Sequence, residues 1–102
     1  MAHTMTPQEL IESRDKTHGF YPDTASIVQF LKRCARDARN WERCDSKTGE
    51  PIMSDAQREA VDMIMHKLGR VLNGDPNEPD HWQDIAGYAT LVVNLLTKGT
   101  HL

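Results

Sequence analysis

Four carboxylates stand at helical spacing in the second half of the chain. Glu59 and Asp62 are three residues apart, and Asp80 and Asp84 four apart, so each pair shares one face of its helix. If the two pairs converge, across a symmetric interface or through a neighbouring helix, they suit Mg²⁺, which takes a few carboxylate oxygens and completes its shell with water and substrate phosphates. Glu59, Asp62, Asp80 and Asp84 are therefore the candidate metal ligands, with Glu59, Asp62 and Asp84 as the candidate catalytic set. The same residues have a plainer reading. A negative charge at Glu59 complements an early helical turn, and Asp80 with Gln83 forms a capping box.

Cations and rings lie close by. Lys67 and Arg70 could meet phosphate oxygens, arginine through a planar fork and lysine as a point charge. His66, His81 and Tyr88 are candidates for stacking on a base or bonding its edge, whereas Trp82, in phase with Ile85 and Ala89, is expected in the core. A second basic stripe, Lys32, Arg33, Arg36 and Arg39, reads first as a solvated helix surface. Gly87 interrupts a helix at about 1 kcal/mol relative to alanine, so a close approach by another helix or by a ligand is expected there.

Four helices must position these groups, over about 7–16, 24–42, 55–73 and 80–98. The first opens with a capping box at Thr6-Pro7-Gln8-Glu9, and Gly19 and Pro22 read as breakers behind it. In the second, Ile27, Phe30, Leu31, Cys34, Ala38 and Trp41 recur at steps of three and four. The third starts at the box Ser54-Asp55-Ala56-Gln57 and stops at Gly74. Its expected buried side is Ala60, Ile64, Leu68, Val71 and Leu72. The fourth is apolar around most of its circumference and needs enclosure. The expectation is an all-α, compact four-helix domain, single over residues 1–102, that oligomerises through its C-terminal helix, with the polar edges of the last two helices meeting between protomers to enclose an anion.

Bulk properties set the outer limits. A chain of 102 residues makes one small core, to which self-association would add stability. A net charge of −3 argues against duplex DNA as a partner, which needs a basic footprint. No apolar run approaches the roughly 18 residues of a membrane span, and the first residues carry no cationic, apolar leader. Cys34 and Cys44 make neither a disulfide framework nor a zinc spacing. The expected location is cytoplasmic, with no membrane partner.

The run Gln57…Glu59-Ala60…Asp62-Met63-Ile64…His66-Lys67…Arg70-Val71-Leu72-Asn73-Gly74-Asp75-Pro76, followed by Asp80-His81-Trp82…Asp84-Ile85-Ala86-Gly87-Tyr88-Ala89, resembles small uncharacterised proteins of phages and prophages. The likeness covers about half the chain closely. More distantly, the Lys67-x-x-Arg70 helix followed by Asp84-Ile85-Ala86-Gly87-Tyr88 is similar to phage nucleotide-modification-associated proteins, themselves similar to MazG-like all-α nucleotide pyrophosphohydrolases. That group binds Mg²⁺ with paired acidic motifs on adjacent helices, and Glu59-x-x-Asp62 can be laid on one of them. Its doubled glutamate on the preceding helix has no counterpart here, where Asp37 stands among arginines. The resemblance implies a bacterial host cytoplasm and a nucleotide or nucleotide-derived ligand.

Three functions remain open. One is a minimal Mg²⁺-dependent pyrophosphohydrolase in which the metal activates water and Lys67 and Arg70 stabilise the leaving phosphate. Another is a non-catalytic sponge that sequesters a nucleotide immune signal of host antiphage defence. The third is a protein-interaction module that contacts a host or phage protein.

Overall fold

A computed structural model describes residues 4–98, which form four helices in an all-α fold. Helix α1, Pro7–His18, starts at the expected capping box: Glu9 donates its N–H to Thr6 Oγ1 at 3.1 Å. It runs two residues past Lys16, because the chain turns only at Gly19, whose φ is +82°. A Cβ at Gly19 would also collide with the carbonyl of Asn73, so this turn is pressed against the end of the third helix.

Helix α2, Tyr21–Asp37, differs from expectation at both ends. Pro22 lies inside its first turn, where a proline lacks nothing because that N–H has no helical acceptor, so it starts the helix where a breaker was expected. At the other end Ala38 is extended, and Trp41 donates its N–H back to the Ala38 carbonyl at 3.2 Å, a turn in place of more helix. Arg39 and Trp41 are therefore not helical. Nor is the buried stripe the expected one: Thr24 and Val28 are buried, while Phe30 and Cys34 are exposed. The cause is Gly69 on the third helix, where an added Cβ would strike Val28 Cγ2 and crowd Thr24. The missing side chain draws α2 in along its Thr24–Val28 edge, about 100° round from Ile27.

A loop follows, closed by an isolated antiparallel bridge between Cys44 and Pro51. Asp45 Oδ1 accepts from the N–H groups of Thr48 and Lys47, and these bonds hold its carboxyl below the usual carboxylate range. Helix α3, Asp55–Asn73, has the expected bounds and the Ser54–Gln57 capping box. Ala60 is buried as expected, and Ile64, Leu68 and Val71 are half-buried, but Leu72 is 62% exposed. Helix α4, Pro79–Lys98, begins one residue early with proline in first place, so Asp80 lies inside the first turn and is not the cap. Trp82 is half-exposed, its indole N–H given to the Pro76 carbonyl at 2.8 Å, in place of the core position expected.

Helix α3 is the centre: α1, α2 and α4 all pack on it, and the backbones of α2 and α4 make no close approach to one another among the described residues. Gly69 meets α2 and Lys67 meets α4. Two residues span 200° of helix, so α2, α3 and α4 lie in a row with α1 over one face. The core is correspondingly thin, with Val28, Ala60 and Met65 its buried apolar side chains among the described residues. No helix among those residues is long and apolar enough to cross a membrane.

Candidate functional site

The covered face of the row holds a cleft of about 520 Å³ between α1, α2 and α3. Five cationic or imidazole side chains project into largely apolar walls: Arg14 and His18 from α1, Lys32 from α2, and His66 and Arg70 from α3. Asp15 is the one carboxylate in the lining, and Tyr21 stands at the rim, 73% exposed. Spacing explains the convergence. Arg14 and His18 are four apart on α1, as are His66 and Arg70 on α3, so each pair projects from one helix face.

The α1 side of the cleft is fixed by a buried polar network. Thr24 Oγ1 donates to the His18 carbonyl at 2.8 Å and accepts from Asn73 Nδ2 at 3.1 Å. The Thr17 carbonyl accepts from the Asp75 N–H at 2.8 Å and lies 2.9 Å from His81 Nε2. A carbonyl only accepts, so His81 carries its proton on Nε2. The His81 ring packs against that of His18, centroids 5.4 Å apart.

Positive charge in the cleft is only partly balanced. Burial lowers the His18 pKa to about 4, with Arg70, His81, Arg14 and Lys67 adding to the effect. Burial also lowers the affinity of His66 for its proton, reinforced by Arg70, Lys67 and Lys32. Arg70 is lowered chiefly by burial, Asp84 opposing and Arg14 adding to the shift. Its Nη2 lies 3.5 Å from His66 Nε2, at the outer limit of a hydrogen bond. Burial first, and neighbouring cations second, hold both imidazoles neutral beside the Arg70 guanidinium. A phosphate entering the cleft would meet one fork-shaped donor, Arg70, already partly stripped of water.

The expected residues are divided by this geometry. His66 and Arg70 line the cleft. Lys67 does not: its Nζ pairs with Asp84 Oδ2 at 3.1 Å, joining α3 to α4. Thus the polar edges of the last two helices do meet, but as an ion pair. Asp84 and Tyr88 border a separate, more open depression of about 420 Å³ with Gln83, Gly87 and Leu91. His81, expected at a ligand-facing margin, is 2% exposed and serves the packing of α1 on α4. A Cβ on Gly87 would meet nothing within 4 Å, so no helix of this chain makes the close approach expected there.

The four carboxylates do not converge. Among the described residues no three His, Cys, Asp or Glu side chains come together as a metal site. The Lys67–Asp84 pair sets the register of the antiparallel α3–α4 hairpin. Glu59 then lies eight residues below that level and Asp80 four above, roughly 18 Å apart along the axis at 1.5 Å per residue. Asp62 turns inward, its Oδ1 buried with no hydrogen-bond partner among the described residues. This donor set does not fit Mg²⁺ within one chain.

Arg14, His18 and Tyr21 were not expected at the site, and Lys32, expected on a solvated helix surface, lines the cleft as well. The i, i+4 spacing of Arg14 and His18 places them on one face only because α1 continues past Lys16 to His18. No protein family, curated protein or solved structure matches the chain in comparisons with known proteins, so the cleft stands on its own chemistry.

Proposed function

We propose that the protein binds a phosphorylated small molecule of nucleotide type in the cleft between α1, α2 and α3. The observation that carries this reading is the set Arg14, Lys32 and Arg70 around one cavity, with two imidazoles kept neutral beside them and a single carboxylate, Asp15. A cavity of about 520 Å³ falls in the range of small-ligand sites, roughly 300–1,000 Å³. The exposed Tyr21 ring at the rim offers a face on which a base can stack.

Binding without turnover is favoured over hydrolysis, because Glu59, Asp62, Asp80 and Asp84 are dispersed and Asp84 is engaged with Lys67. Sequestration of a nucleotide-derived signal in a bacterial host is the setting that the resemblance to phage proteins adds. The test is calorimetric titration with nucleoside mono-, di- and triphosphates and with inorganic phosphate, followed by recovery of the ligand. Binding that is lost in Arg70→Ala, with the nucleotide recovered intact, supports the reading. Failure of every phosphorylated probe to bind, or binding indifferent to Arg70, refutes it.

A further inference from the structure

We infer that the face of the helical row opposite α1 is a contact surface for a second copy of this chain, with α4 packed antiparallel on α4. This rests on surface and sequence pattern, independently of the anion cleft.

The face opposite α1 is apolar and uncovered: Leu72, Trp82, Val93 and Leu96 are 49–69% exposed. Helical domains bury their apolar faces in two packed layers, and α1 covers one face of the row.

The pattern on α4 selects the occupant. Its α3 side carries His81, Ile85, Tyr88, Val92 and Leu95, all buried or half-buried. A second, exposed line runs Trp82, Ala86, Ala89, Val93, Leu96 at alternating steps of four and three. A mean step of 3.5 is the spacing of a seam between two helices, beyond what packing on α3 requires. The line is also self-complementary. With Ala86 facing Ala89 of a second copy, Trp82 faces its Val93, so small residues meet at the centre and large ones at the ends. Gln83, Thr90 and Thr97 flank the seam on its outer side and carry no charge, so two identical copies meet without like-charge repulsion.

Sedimentation equilibrium of the full chain should give a dimer, twice 11.6 kDa, and Ala89→Glu should give a monomer of unchanged helicity. In a Cys34→Ser, Cys44→Ser background, chains bearing Ala86→Cys should cross-link on oxidation to chains bearing Ala89→Cys. Trp82→Cys chains should not cross-link to one another, since antiparallel pairing holds those positions far apart. A wild-type chain that stays monomeric at 100-fold dilution series up to about 0.1 mM, well above a typical dimer Kd, would overturn the inference. So would a dimer that tolerates Ala89→Glu, or one in which Trp82→Cys links to itself.

Discussion

His81 Nε2 and the carbonyl of Thr17 lie 2.9 Å apart although 64 residues separate them in sequence. This bond, with the neighbouring Asp75 N–H on the same carbonyl, fastens the last turn of α1 to the start of α4 and so sets where His18 faces the cleft. His81→Ala removes the donor and opens a hole behind the His18 ring. A loss of about 2–3 kcal/mol is expected, combining a buried hydrogen bond with lost packing. Urea denaturation measures it directly. His81→Gln should recover part of the loss, because the amide can still donate to Thr17.

Acid should weaken the fold through His18. Its pKa is about 4 in the folded chain and near 6.5 when unfolded, so between these values the unfolded chain binds more protons. Stability from this group is therefore complete above about pH 6.5, declines as pH falls, and is lost by about pH 4. Melting temperatures across this window should fall more steeply for the wild type than for His18→Gln. Equal slopes would show that His18 does not titrate in this way.

Gly69→Ala tests the contact that orients α2. In an open helix this change adds about 1 kcal/mol of helix stability. Here the new methyl meets Val28 Cγ2 and Thr24, and overpacking of this kind costs about 1–3 kcal/mol. A lower melting temperature is expected, and shortening Val28 to alanine in the same chain should recover part of it.

Much of the fold was legible from the sequence because capping chemistry is local. Thr6, Ser54, Gly19 and Gly74 mark helix ends through their own side chains or lack of one, and α3 matches its expected bounds. The face that α2 buries was not legible, since it depends on Gly69, more than thirty residues away. Part of the site was visible for the same reason: His66 and Arg70 share a helix face. Arg14 and His18 share one too, but only after α1 is extended to His18. His81 reads as polar in sequence and is buried because a backbone carbonyl on another helix accepts its proton.

Asp84 separates anion binding from a metal-carboxylate site. Its carboxylate opposes the downward shift of Arg70, and it is paired with Lys67 while half-exposed. Asp84→Asn removes negative charge near the cleft and should tighten phosphate binding severalfold, with a stability loss under about 1 kcal/mol. A carboxylate that holds a metal for the ligand would give the opposite result, weaker binding.

The most direct measurement is calorimetric titration of wild type and Arg70→Ala with a nucleoside monophosphate at pH 8 and pH 5.5. An anion in the cleft favours protonation of His18 and His66, so binding should take up protons beyond those of the ligand's own phosphate, whose second pKa is about 6. Arg70→Ala should bind at least tenfold more weakly at both pH values. Equal affinity of the two proteins, or no heat from either, would contradict an anion site between α1, α2 and α3.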